Sequence, residues 1–149
     1  MPGHDLPQLE LDAQLCFPLY ATTRAVTRRY ADLLAEAGLT YPQYLTLLAL
    51  WSADGPVTVG ELGRLLHLDS GTLTPLLKRL EAMGHVARRR DLDDERRVRV
   101  EVTAEGWELR EQVADVPLRL AESMGMTKSE ARELKRLLAK VQHGLGDGD

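Results

Sequence analysis

The sequence predicts a mainly helical fold carrying one small β-hairpin. Three observations predict it. Leucines recur at helical spacing through most of the chain. Val98, Val100 and Val102 alternate strictly with Arg97, Arg99 and Glu101, which is the period of a strand. Two short amphipathic segments are separated only by His67-Leu68-Asp69, the signature of a helix-turn-helix. At 149 residues the chain reads as one domain with a sizeable core.

Taken in order, residues 1–11 read as a loose arm. A long helix is expected from about Asp12 or Pro18 to Ala37, stopped by Gly38, since glycine takes the left-handed geometry that ends helices. Thr40-Tyr41-Pro42 restarts a helix, with proline tolerated in its first turn. This second helix, to about Trp51, is apolar nearly all round and should be buried in the middle of the fold.

Asp54-Gly55-Pro56 breaks the chain, and Thr58 with Glu61 forms a capping-box pattern. The short helix behind it presents Val59, Leu62, Leu65 and Leu66 on one face. The next carries Leu73, Leu76, Leu77 and Leu80 up to Gly84. His85 to Arg90 is a weaker strand partner for Val98–Val102, and residues 91–96 form a polar hairpin tip. A helix-turn-helix followed directly by a basic hairpin is a winged helix. Thr103 starts a helix with Trp107, Leu109 and Val113, interrupted at Pro117. Thr127 and Glu130 form a second capping box, opening a last helix with Leu134, Leu137, Leu138 and Val141.

The formal net charge of −4 is unevenly distributed. From Arg64 to Arg99 there are nine Lys/Arg against six acids, a local balance of +3, leaving −7 on the rest of the chain. A basic segment in an acidic body reads as a polyanion-binding face; the alternative is a solvated charged surface. The segment Asp69–Arg79 points its leucines inward and shows Ser70, Thr72 and Thr74, then Lys78 and Arg79, on the other side. A major-groove helix needs that arrangement: small donors near base edges and cations further along for phosphates. Arginines at 88, 89, 90, 96, 97 and 99 decorate the wing, where Arg96 can enter a minor groove. Asp94 is expected to brace Arg96, while Asp93 and Glu95 read as solvated loop charge.

The chain has one cysteine, Cys16, in the run Leu15-Cys16-Phe17-Pro18-Leu19-Tyr20, and all four tyrosines follow it. Pro18 suits a first helical turn, which would put the sulfur near unpaired amides and the positive dipole end. Tyr20 shares nearly the same face one turn on. Tyr30 returns to that face but lies roughly 21 Å away along a straight helix. It could therefore meet only the Cys16 of a second, antiparallel copy. The alternative is a small buried hydrophobe, the commonest state of a free cysteine.

Other classes find little support. No basic region leads into an apolar stretch at the N-terminus, and no apolar run is long enough to span a bilayer, so a cytoplasmic protein without a membrane role is expected. No cofactor is expected. His4, His67, His85 and His143 lack metal-ligand spacing. No Pro…Thr/Ser…Cys loop precedes Cys16 and there is no Cys-x-x-Cys, so a thiol peroxidase is the weaker alternative and a non-enzyme is expected.

The runs Asp69–Glu81, Asp94-Glu95-Arg96-Arg97 and Val102-Thr103-Ala104-Glu105-Gly106 resemble the MarR-type winged-helix repressors. Leu15–Ala21 and Leu39-Thr40-Tyr41-Pro42-Gln43-Tyr44-Leu45 resemble their organic-hydroperoxide-sensing, OhrR-like branch, over roughly residues 12–142. The resemblance implies a winged helix-turn-helix at about 42–103 and dimerisation helices at about 12–38 and 104–143. It implies a homodimer on an inverted-repeat operator in double-stranded DNA. Cys16 would be the sensing thiol for an organic hydroperoxide, held by Tyr30 and Tyr41 of the other subunit with Tyr20 nearby. Ser70, Thr72, Thr74, Lys78, Arg79 and Arg96 would contact DNA, and Asp94 is counted with this DNA-binding set. There is no second cysteine, so the chain resembles the one-cysteine variety, whose sulfenate needs a low-molecular-weight thiol. The alternative within the family is a regulator answering a small aromatic ligand, with a structural cysteine.

Overall fold

The computed structural model describes residues 5–146. Residues 1–4 of the expected arm, and 147–149 at the other end, lie outside them. The rest of the arm is not loose. It makes two 3₁₀ turns, Pro7–Leu9 and Leu11–Ala13, and the Gln14 side-chain amide donates to the Gln8 and Glu10 carbonyls, 2.8 Å each. Every residue from 5 to 15 is exposed.

Helix α1 spans Cys16–Leu34, so Pro18 falls in its first turn, where its missing N–H costs nothing. It stops three residues before Ala37. Gly38 adopts φ +69°, as expected, and the Leu39 N–H returns to the Leu34 carbonyl. Helix α2 (Tyr41–Trp51) opens on a capping box between Thr40 and Gln43 that the sequence reading overlooked. It buries Gln43, Tyr44, Thr46, Leu47, Leu50 and Trp51, but the expected all-round burial is incomplete: Pro42 and Leu48 are exposed, and Tyr41, Leu45 and Ala49 are half-buried.

Helices α3 (Val59–Leu66) and α4 (Ser70–Ala82) form the helix-turn-helix. The Thr58/Glu61 capping box starts α3, and His67 ends it in a left-handed conformation, φ 54°. Leu62 is fully buried, but Leu65 is 62% exposed and does not join the core face assigned to it. In α4 all four expected leucines, 73, 76, 77 and 80, are buried, each contributing about 1.5–3 kcal/mol.

Strands β2 (Val86–Arg90) and β3 (Val98–Val102) form the wing, in antiparallel register from Val86 opposite Val102 to Arg90 opposite Val98. A third strand, β1 (Val57–Thr58), pairs with β3 on its other side, giving the order β1-β3-β2. Two residues are too few to show a period, so the pattern could not announce it.

After the wing come α5 (Ala104–Gln112), α6 (Val116–Met124) and α7 (Lys128–Gly144). The expected single helix interrupted at Pro117 is two helices. The break precedes the proline, which is the second residue of α6, where its ring is tolerated. Trp107 is half exposed, while Leu109 and Val113 are buried. A Cβ on Gly106 would collide with the His85 carbonyl, so β2 and α5 approach through a glycine, and the buried Trp51 indole donates to the Gly106 carbonyl at 3.1 Å. The Thr127/Glu130 box opens α7 as expected. Its apolar stripe is not core, however: Leu134, Leu137 and Val141 are each more than 40% exposed.

Candidate DNA interface and thiol site

Asp69 caps α4 by accepting the Thr72 N–H at 2.7 Å, which holds its carboxyl below the ordinary aspartate range. This fixes the helix start and presents Ser70, Thr72, Lys78 and Arg79 to solvent, with Thr74 half-buried on a neighbouring turn. The leucines of the opposite face lock the helix against the core, so the polar side is rigid.

The wing is organised by acids. Asp91 is buried, accepts the Asp93 N–H at 3.0 Å and pairs with Arg99 at 3.1 Å; these two contacts, in that order, keep its carboxyl ionised well below the usual range. Asp94 does not brace the Arg96 side chain. Its carboxylate accepts the Arg96 backbone N–H at 3.0 Å and lies 3.7 Å from the Arg97 guanidinium. It shapes the turn and leaves the Arg96 side chain to solvent.

The nine cations between Arg64 and Arg99 therefore divide into two sets. Arg88, Arg89, Arg97 and Arg99 are held by Glu81, Glu101, Asp94 and Asp91. Among the described residues Arg64, Lys78, Arg79, Arg90 and Arg96 have no ion-pair partner. Arg64 and Arg96 line one cleft of about 480 Å³ between α3, α4 and the wing, beside Thr58 and Thr74. Unpaired cations facing such a cleft suit a phosphate backbone.

The thiol residues lie at two separate places. Cys16 is the first residue of α1 and exposed, and no side chain caps that helix end. Tyr20, one turn on, is 60% exposed; its hydroxyl is reached by Arg24 at 3.5 Å, with the guanidinium over its ring. Among the described residues none of the same chain hydrogen-bonds the Cys16 sulfur. Tyr30 and Tyr41 are together elsewhere, stacked with centroids 4.0 Å apart, and Tyr44 tilts against Tyr30 at 5.6 Å. Burial, reinforced by Tyr41 and Tyr44, pushes the Tyr30 hydroxyl up to about 12. Burial also raises Tyr41 and Tyr44.

The family described as transcriptional regulator SarA/Rot matches residues 28–113, more than half of the chain. The chain is 50% identical to the HTH-type transcriptional regulator TtmR of Methylorubrum extorquens, over 96% of its own length and 72% of that protein. It is 44% identical to the organic hydroperoxide resistance transcriptional regulator of Bacillus subtilis, over 87% and 85% of the two chains. The solved structure of reduced AbfR bound to DNA superposes with a TM-score of 0.78 at 36% identity, covering 95% of this chain and 96% of that one. This chain is a MarR-type winged-helix transcriptional regulator.

As a regulator of this family it binds DNA, and the cations without an ion-pair partner are the candidate contacts. Sequence reading selected Lys78, Arg79 and Arg96 from that set. It counted Arg64 in the basic segment and placed Arg90 on the wing without singling out either, because charge counting cannot tell a paired arginine from a free one. It also missed Asp91, whose burial becomes visible only once the hairpin is folded. Of the histidines weighed as metal ligands, His4 lies outside the described residues. The others are dispersed in this regulator: His67 ends α3, His85 precedes β2 and His143 lies in the last turn of α7. Among the described residues no helix is long and apolar enough to cross a membrane.

Proposed function

We propose that the regulator is a homodimeric repressor that releases an inverted-repeat operator when an organic hydroperoxide oxidises Cys16. The observation that carries this reading is the separation of thiol and phenols. Cys16 is exposed at one end of α1, while Tyr30, fourteen residues and roughly 21 Å further along that helix, stacks on Tyr41 of α2. A second copy with its α1 antiparallel brings each pair to the other's sulfur. The exposed apolar residues of α1 and α7, including Phe17, Leu19, Leu134 and Leu137, supply a surface for that copy.

The Cys16 thiolate attacks the outer oxygen of the hydroperoxide. The O–O bond breaks, the alcohol departs with a proton, and the sulfur becomes a sulfenic acid. A low-molecular-weight thiol then condenses with it, releasing water and leaving a mixed disulfide. Either product is larger than the thiolate that the partner's tyrosines receive. Tyr41 is the first residue of α2, and α2 packs on α3, α4 and β3. Displacing Tyr41 therefore moves the reading head. In a dimer whose half-sites are about 34–36 Å apart, a small change in spacing breaks both contacts. In this scheme the outcome of oxidation is release of DNA, so the protein acts as a sensor; peroxide turnover with a thiol donor would instead mark a peroxidase.

The test is Cys16→Ser in a mobility-shift assay with cumene hydroperoxide. The variant binds the operator and stays bound after oxidant; release like the unmodified protein refutes the thiol as sensor. A second reading is favoured by an open cleft of about 440 Å³ lined by Tyr44, Trp51 and Arg110, whose chemistry fits an aromatic acid. It predicts release by a phenolic acid under fully reducing conditions.

A further inference from the structure

The buried indole of Trp51 reaches outside its own helix. α2 packs mainly on α1, α3, α4 and β3. Among the described residues one hydrogen bond joins α2 to any later element: the Trp51 Nε1–H donates to the Gly106 carbonyl, in the first turn of α5, at 3.1 Å. A buried N–H is a directional group that needs a partner. This contact therefore fixes a distance, where apolar packing alone would fix only a neighbourhood.

That carbonyl belongs to the root of the wing. Gly106 lies so close to the His85 carbonyl that no side chain fits between them. The same His85 carbonyl accepts the Thr103 N–H at 3.1 Å. The Thr103 hydroxyl donates to the Gly84 carbonyl and accepts the Gly106 N–H at 3.1 Å. Gly84 and His85 lead from α4 into β2, and Thr103 follows β3, so both ends of the hairpin meet at this junction. The wing has two other ties: β1 pairs with β3, and Glu81 of α4 accepts the Arg88 N–H at 2.9 Å. Neither runs to α2.

We propose that Trp51 is a positioning residue for DNA binding. Through Gly106 it holds the root of the wing at a set place beside α4. Arg96 near the tip, and Lys78 and Arg79 on α4, then meet one stretch of DNA together. The leverage comes from length: the five residues of β2, at about 3.3 Å each, put the tip roughly 16 Å from the root, so a small tilt below is magnified above. Losing the bond leaves α4 in place, because its leucines lock it into the core, and frees the wing. Tyr41 opens α2 and Trp51 ends it, so a displacement of α2 also reaches the wing by this bond. That last consequence rests on the hydroperoxide reading above; the positioning does not.

Trp51→Phe keeps an aromatic ring and removes the donor. Benzothienylalanine at position 51 removes only the N–H and serves where phenylalanine packs poorly. Amide hydrogen exchange of the free, reduced protein is read first. Residues 86–102 are expected to exchange about fivefold faster, the scale of one hydrogen bond, with residues 59–82 unchanged. Unchanged protection of the wing overturns this role. So does an equal rise through α3 and α4, which would make the indole core packing and nothing more. Operator affinity follows in a double-mutant cycle. The loss caused by Arg96→Ala should shrink about threefold or more once the donor is gone, because a loose wing must be ordered before it binds. The loss caused by Lys78→Ala should stay the same. An Arg96 loss that ignores the substitution refutes the positioning. An Arg96→Ala variant that binds as tightly as the unmodified protein refutes it too, since the wing would have nothing to position. All measurements use reduced protein, so a failure of the hydroperoxide reading leaves them intact.

Discussion

Tyr30 of α1 and Tyr41 of α2 stack with ring centroids 4.0 Å apart and planes within 10°. The pair joins the helix that carries the thiol to the helix that packs behind the DNA-reading unit. Because burial, with Tyr41 and Tyr44 beside it, raises the Tyr30 hydroxyl to about 12, it remains a protonated donor at any physiological pH. Replacing either phenol with phenylalanine keeps the stack and removes a donor. Tyr30→Phe and Tyr41→Phe should therefore bind the operator when reduced but react with hydroperoxide about tenfold more slowly, the scale of one hydrogen bond to a charged sulfur. Stopped-flow measurement of Cys16 oxidation checks this; unchanged rates would detach the phenols from the sensor.

The same elevation has a consequence for stability. An unfolded tyrosine ionises near pH 10, whereas folded Tyr30 resists until about 12. Between those values the folded state holds the extra proton, so stability is complete below about pH 10 and falls as pH rises toward 12. Urea titrations at pH 9 and 11 should show a loss that is smaller in Tyr30→Phe. An equal loss in the variant would place the alkaline sensitivity elsewhere.

On the DNA face the division between paired and unpaired arginines is open to mutation. Arg96→Ala should weaken operator binding by about 1–3 kcal/mol with dimerisation unchanged. Arg64→Ala, if its partner is a phosphate, should lower affinity across sequences and reduce the salt-dependence slope by about one. Fluorescence anisotropy over a salt series measures both. Undiminished affinity in Arg96→Ala would remove the wing tip from the interface.

Gly106 tests the junction of wing and helix. An added methyl meets the His85 carbonyl and sits 2.6 Å from Val102 Cγ1, both parts of the packed frame. Gly106→Ala should cost about 1–3 kcal/mol in stability, seen by thermal denaturation. A variant as stable as the parent would mean that β2 and α5 can separate freely.

Much of this was legible in residue order, because it is local. Capping boxes at Thr58 and Thr127 act over three residues, the leucines of α4 repeat every turn, and the valines of β3 alternate with charges. Such features need only neighbouring residues to declare themselves. The helix after the wing was misread as one broken at Pro117, because a proline marks a boundary without saying on which side of it the chain turns.

What the amino-acid order determined by itself was the winged helix, its basic segment and the presence of a single cysteine followed by four tyrosines. What tertiary structure decided was which of these groups are free to act. Asp91 and Asp94 claim Arg99 and Arg97 and leave Arg96 to solvent; Tyr30 meets Tyr41 and not Cys16; the stripe on α7 faces outward. The physical reason is common to all three. Helix and strand periods arise from contacts a few residues apart, whereas ion pairing, ring stacking and exposure depend on residues brought together only when the chain closes on itself.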